Sequence, residues 1–265
     1  MTANELPIGV FDSGVGGLTV AAALLEHLPA ESILYLGDTA RLPYGTKSPE
    51  TVARYTRRNL DFLLGRGVKA VVVACNTASA LALDRIEASV PVWGVVEPGA
   101  SAAARVARGP IGVLATESTI RSGAYEAAIR RRRGDLEVIP QACPLFVPLV
   151  EEGWADDPIT EEIARRYLEP LLDRGAEALV LGCTHYPVLK PVLQRVAGDA
   201  VSLVDSAETV AALVAVELAA AGLLRVTAPG GPRVELCVTD AGERFQRIAD
   251  QILRDGAPPL EWVEV

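Results

Sequence analysis

Two stretches of equal length, residues 63–77 and 171–185, align without a gap and match at both leucines, an Arg-Gly pair, an alanine, a valine and a cysteine. Each reads as a helix end closed by glycine, Gly67 or Gly175, then a short apolar run, then a polar turn. A continuous apolar run bounded by turns is the pattern of a strand buried on both faces, as parallel sheets require. Cys75 and Cys183 therefore fall at the carboxyl ends of their strands, the edge where open α/β sheets bind ligands.

The repeat extends upstream. Ile111-Gly112-Val113-Leu114-Ala115-Thr116 echoes Ile8-Gly9-Val10-Phe11-Asp12-Ser13, and the interval to the following cysteine is nearly equal in the two halves. The expected fold is α/β: two similar parallel-sheet domains related by pseudo-two-fold symmetry, facing each other across a cleft with one thiol on either wall. The segment from about residue 205 onward, a long helix, a strand over 233–238 and a helix over 243–254, is extra to the repeat. It is expected to pack back on the first unit. The division is then residues 1–97 plus 208–265 as a discontinuous domain carrying Cys75, and 98–207 as a second carrying Cys183. A chain of 265 residues suffices for this at roughly 100 to 200 residues per domain.

Within the first half, residues 8–11 read as a strand, 12–17 as a glycine-rich turn opening a helix over 18–27, and 32–36 as a second strand. A polar loop over 37–49 precedes a helix over 49–64. After Cys75 come a helix over 78–89 and a strand over 92–96 that runs out into Glu97-Pro98-Gly99. The turn lacks the G-x-G-x-x-G spacing, so no nucleotide reading follows from it.

A net charge of -9 argues against nucleic acid or an anionic membrane surface as the main partner. The four arginines at 130–133 read as a solvated helix terminus whose charges suit the dipole, with a phosphate-reading cluster as the alternative. Residues 1–7 are short and polar, without the form of a secretory signal. The most apolar segment, 210–224, contains Glu217 and falls short of the roughly 20 residues that span a bilayer. A cytoplasmic protein is expected. Its four cysteines form no C-x-x-C pair, so they are core residues or reagents rather than a disulfide framework.

Inverting a stereocentre at a carbon acid needs a base on one face and an acid on the other. Cysteine suits both roles, because its ordinary pKa of about 8.5 is readily moved by environment. Asn76, Thr77 and Thr184 offer hydrogen bonds beside the thiols, His185 lies two residues from Cys183 as a proton partner, and Ser13 and Thr116 occupy matching places in the repeats. Cys143 and Cys237 lack such surroundings and read as structural. Taken alone, Asp12 also reads, less well, as a turn residue or helix cap, Tyr44 with Gly45 is equally a packed loop, and His185 equally a satisfied turn histidine. A zinc site is disfavoured, since the cysteines and histidines lack compact ligand spacing.

Asp12-Ser13-Gly14-Val15-Gly16-Gly17, Pro43-Tyr44-Gly45, Ala74-Cys75-Asn76-Thr77-Ala78, Glu97-Pro98-Gly99 and Gly182-Cys183-Thr184-His185-Tyr186-Pro187 together resemble the signature segments of the glutamate racemases. The resemblance runs through nearly the whole chain. It implies a cofactor-independent isomerase interconverting L- and D-glutamate for peptidoglycan synthesis, and a homodimer. It also implies Cys75 as base toward the D-enantiomer and Cys183 toward the L-enantiomer, with Asp12 assisting the first, His185 the second, and Glu151 as a further acidic helper. Asp12, Ser13, Tyr44, Gly45, Asn76, Thr77, Thr116, Thr119, Thr184 and His185 carry over as substrate contacts, their hydroxyl, amide and backbone groups suited to two carboxylates. Thr239-Asp240-Ala241 departs from the family, which carries a glycine near the middle of that turn.

Three alternatives stand beside this reading. Aspartate and hydantoin racemases and maleate isomerase share the paired cysteines. A solute-binding module on the same scaffold needs no chemistry. A pyridoxal phosphate enzyme is disfavoured, because Lys47, Lys69 and Lys190 lie in no evident Schiff-base setting.

Overall fold

The computed structural model describes residues 2–227, 233–240, 242–253 and 256–265; Ala241 of the departing turn and Arg254 of the last expected helix lie outside them. The first half runs β1 Ile8–Asp12, α1 Leu18–His27, β2 Ile33–Gly37, α2 Pro49–Gly65, β3 Ala70–Val73, α3 Asn76–Leu81, β4 Val92–Gly94 and α4 Val96–Val106. The second runs β5 Ile111–Ala115, α5 Glu117–Ser122, α6 Ala124–Arg132, β6 Val138–Ala142, α7 Phe146–Glu151, α8 Pro158–Leu172, β7 Ala178–Gly182, α9 Lys190–Ala197 and β8 Ser202–Asp205. The chain closes with α10 Ser206–Ala220, β9 Val234–Val238, α11 Glu243–Ile252 and β10 Leu260–Trp262.

Every residue of β1, β2, β3, β5 and β7 is buried, so each strand needs cover on both faces. Two wholly parallel sheets answer that need, ordered β10-β9-β2-β1-β3-β4 and β6-β5-β7-β8. The run β2-β1-β3-β4 in one sheet repeats as β6-β5-β7-β8 in the other, so the duplicated α/β architecture read from the sequence is the architecture found. Among the described residues, strands β9 and β10 have no counterpart in the second sheet. They extend the first along the outer edge of β2.

The repeated Arg-Gly pairs do what their spacing predicts. Gly67 after α2 and Gly175 after α8 both take left-handed backbone, φ +78° and +75°, turning the chain from helix into strand. The entering ends are capped in kind: Ser48 accepts the Thr51 N–H ahead of Pro49, and Asp157 accepts the Ile159 N–H ahead of Pro158.

Two local expectations are corrected. The helix expected over 78–89 stops at Leu81, because Leu81, Leu83 and Ile86 share no single helical face; a break at Ala82 (φ -132°) lets all three pack against the cluster of Phe11, Leu60, Leu63 and Val73 on one face of the first sheet. Strand β4 ends at Gly94, and Glu97-Pro98-Gly99 lies inside the first turns of α4 rather than in a strand-end turn. Proline is tolerated there, since an N–H in the first helical turn has no acceptor within the helix. The arginines at 130–133 do end a helix, but paired: Arg130 with Glu126, Arg131 and Arg132 with Glu97, and Arg133 with Asp135. Among the described residues no helix is long and apolar enough to cross a membrane.

Candidate active site

Cys75 follows β3 and caps α3, its sulfur accepting the Ala78 N–H at 3.5 Å. Its thiol donates to Ser13 Oγ at 3.8 Å, from the turn after β1. Cys183 follows β7 in the second sheet, with its sulfur 4.0 Å from His185 Nδ1. His185 Nε2 in turn lies 3.2 Å from Glu151 Oε1 at the end of α7. A cavity of about 370 Å³ is lined by both cysteines together with Ser13, Tyr44, Gly45, Asn76, Thr77, Thr116, Glu151, Thr184 and His185. Each cysteine is almost wholly buried, 5% and 6% exposed, yet both meet this one space.

The halves approach closely around it. Asp12, fully buried at the end of β1, accepts the N–H groups of Gly14 and Gly17 at 3.1 Å on one oxygen and the Thr184 hydroxyl at 3.4 Å on the other. Thr19 of α1 donates to the Thr184 carbonyl at 3.1 Å. Gly16 has no side chain because none fits: a Cβ there would stand 2.4 Å from His185 Nδ1 and 2.6 Å from Thr184 Oγ1. On the opposite side the buried Ser118 of α5 donates to the Gly45 carbonyl at 2.6 Å. Thr77, Thr116 and Thr119 close a hydroxyl triangle across the seam, with sides of 3.0, 3.2 and 3.0 Å.

The two thiols differ in electrostatics. Burial, and next the negative charge of Asp12, push the Cys75 thiol well above its usual range, against smaller opposing pulls from the Ala78 N–H and Ser13. Burial depresses His185, but its hydrogen bonds to the Cys183 sulfur and to Glu151 outweigh that and lift it to about 10. An imidazolium therefore stands beside Cys183 at neutral pH, whereas the charge facing Cys75 is negative. No lysine or arginine lines the cavity among the described residues. Its polar lining includes hydroxyl groups and His185, beside the carboxylates of Glu117 and Glu151.

Of the residues singled out from the sequence, only Asp12 and Thr119 stand outside the lining, each one hydrogen bond behind it. Two of the expected polar contacts are committed elsewhere. The Tyr44 hydroxyl donates to Asp38 and accepts from Asn59, and the Asn76 side chain is tied to the Tyr125 hydroxyl and to Ser206. Sequence reasoning missed Leu42, Thr46, Glu117, Pro144, Val147 and Pro148, which also line the cavity. Val147 and Glu151 are four apart on α7, so the helical period that places Glu151 on this wall places Val147 there too. Cys143 and Cys237 pack in separate cores. Lys69 is buried against Glu31 and Lys190 pairs with Asp205, both away from the cavity. Among the described residues, no group of three or more histidine, cysteine or acidic side chains is arranged to hold a metal ion.

A family model described as Asp/Glu/Hydantoin racemase matches residues 8–214. The glutamate racemase of Geobacter metallireducens is 52% identical over 249 residues, 93% of this chain and 92% of that protein. The crystal structure of the Thermus thermophilus glutamate racemase in complex with beta-chloro-D-alanine superposes with a TM-score of 0.88 at 48% identity, covering 99% of this chain and 98% of that one. That of the Francisella tularensis glutamate racemase in complex with D-glutamate gives 0.91 at 38% identity, covering 98% of each. An aspartate racemase from Picrophilus torridus, at 17% identity and a TM-score of 0.59 over 82% of this chain and 94% of that one, shares the fold alone. Agreement of this order along almost its whole length means that the chain belongs to the Asp/Glu/hydantoin racemase family.

Proposed function

We propose that the protein racemises glutamate by a two-base mechanism with Cys75 and Cys183 as the acid–base pair. The observation that carries this is the single cavity faced by one sulfur from each half of the duplicated fold. One cysteine, as thiolate, takes the α-hydrogen: the Cα–H bond breaks, an S–H bond forms, and the electron pair stays on carbon. The opposite cysteine, as thiol, then delivers its proton to the other face. One thiol and one thiolate remain, exchanged between the walls. Cys183, beside the His185 imidazolium and Glu151, is the base toward L-glutamate. Cys75, facing Asp12 and hydrogen-bonded to Ser13, is the base toward D-glutamate. Hydroxyl groups of Ser13, Thr77 and Thr116 hold the substrate carboxylates, with Thr119 supporting Thr77 and Thr116 from behind and Thr184 lining the site while its hydroxyl donates to Asp12. Tyr44, Gly45 and Asn76 contribute ring and backbone rather than their committed polar groups. The cavity volume lies near the lower end of the roughly 300–1,000 Å³ usual for small-molecule sites, as a five-carbon acid requires.

The relatives of highest identity described above are glutamate racemases, whereas likeness to aspartate racemase stops at the fold. Incubation with each enantiomer of glutamate and of aspartate in deuterated water tests the choice: deuterium enters at Cα of glutamate and not of aspartate. Exchange into aspartate alone, or into neither, ends the proposal. Replacing Cys75 or Cys183 by serine abolishes racemisation while leaving glutamate binding measurable by calorimetry. A solute-binding module would show binding without turnover in the unmodified protein.

The wider reading is a cytoplasmic homodimer that supplies D-glutamate for peptidoglycan, built from residues 1–97 with 208–265 against 98–207. The pairing of β9 with β2 supports the division. The motif resemblance supports the rest. Analytical ultracentrifugation reads the oligomeric state directly, and restored growth of a D-glutamate auxotroph reads the supply.

A further inference from the structure

Asp38 has no role in the chemistry above, yet it is fully buried at the carboxyl end of β2, one strand from Asp12. An unpaired buried carboxylate is costly, so its partners indicate its use. One oxygen accepts the Tyr44 hydroxyl and Arg41 Nη1, the latter at 3.3 Å. The other accepts the Thr239 hydroxyl at 3.0 Å, from the turn after β9. Thr239 is itself held firmly: its N–H donates to the Gly37 carbonyl at 3.1 Å, its hydroxyl accepts the Ala40 N–H at 3.0 Å, and its carbonyl accepts the Trp262 indole N–H at 2.8 Å.

Tyr44 is the other end of this chain of hydrogen bonds. Its ring, 1% exposed, is pinned at the hydroxyl by Asp38 and by Asn59 of α2 at 3.1 Å, and lies 5.6 Å from the Tyr55 ring. The segment it anchors, residues 42–46, forms one wall of the cavity. Gly45 in that wall carries the carbonyl that takes the Ser118 hydroxyl of the other half.

We propose that Asp38 and Thr239 are positioning residues for the substrate wall at 42–46, with Thr239 fixing the Asp38 carboxylate and Asp38 fixing Tyr44. Neither lines the cavity, and both act through a residue that does. The segment outside the repeat thereby completes the substrate site: β9 and its following turn set the height of a wall built by the first repeat. The thiols and their partners are untouched by this linkage, so it governs substrate capture rather than proton transfer. The inference rests on the glutamate racemase reading.

Steady-state kinetics of Thr239→Val, Thr239→Ser, Tyr44→Phe and the Thr239→Val/Tyr44→Phe double variant test it, each in both directions and beside thermal unfolding. In Thr239→Val, KM for both glutamate enantiomers rises about five- to tenfold, the weight of the lost hydrogen bond to Asp38, while kcat stays within about twofold. Thr239→Ser, which keeps the hydroxyl, restores KM. The double variant is no worse than Tyr44→Phe alone, because the two act along one path. An unchanged KM in Thr239→Val, whether or not its melting temperature falls, overturns the proposal; so does full additivity with Tyr44→Phe. Failure of the unmodified protein to racemise glutamate in the same assay sinks the parent reading, whereas an active parent with an insensitive KM sinks this inference alone.

Discussion

His185 stands between the Cys183 sulfur and Glu151, and its protonation links the chemistry to the stability of the fold. Its value in the native state, about 10, exceeds the ordinary 6.5. The stabilisation it contributes is therefore full below about 6.5 and is lost as pH rises through about 10. The stability gap between the parent and His185→Asn, measured by urea unfolding, narrows across that window. Cys75 offers the opposite case, because burial and then Asp12 hold its thiol protonated. In a Cys183→Ser background, Asp12→Asn removes one of those two causes, and iodoacetamide alkylates Cys75 faster at fixed pH, as mapped by mass spectrometry. Single residues were legible in the sequence where a repeat marked them, as with the two cysteines and the paired Ser13 and Thr116. Asp38 was not. Its partner Thr239 is two hundred positions distant, counted roughly, and a buried carboxylate whose partners come from another element leaves no local pattern.

Turns and the first turns of α1, α3 and α5 carry polar contacts between the halves, and one constraint there is steric. Gly16→Ala places a methyl 2.4 Å from His185 Nδ1, forcing the glycine-rich turn away from the Cys183 loop. Since displacement of about 1 Å costs about 100-fold in a positioned site, kcat/KM falls by at least that factor while the far-ultraviolet circular dichroism is unchanged. The buried strands were read correctly because burial on both faces writes itself as an unbroken apolar run. Helix ends were read correctly where glycine marks them, as at Gly67 and Gly175. Two elements were misread where packing decides: α3 breaks at Ala82 to bring Leu83 and Ile86 onto the core, and α4 begins in a stretch whose proline suggests a turn.

At the scale of the molecule, a buried ion pair gathers distant segments beneath the first sheet. Lys69 Nζ lies 2.6 Å from Glu31, with both side chains nearly inaccessible, and donates to the carbonyls of Asn4 and Leu223 at 2.9 Å each. Glu31 also accepts the Arg225 N–H at 2.8 Å. Lys69→Met leaves that carboxylate buried without its cation, which lowers unfolding stability by about 3–5 kcal/mol in denaturant titration while KM for glutamate holds. The duplication itself was legible from two matched strand-to-turn stretches, because each half must solve the same burial problem. The order of assembly follows from the strand order. Strand β2 is made among the first forty residues or so, yet its outer neighbour β9 lies beyond residue 233. A nascent chain on the ribosome thus carries both cavity-facing sulfurs long before it carries the strand on the outer edge of β2, and its first sheet waits with one raw edge until the last stretch emerges.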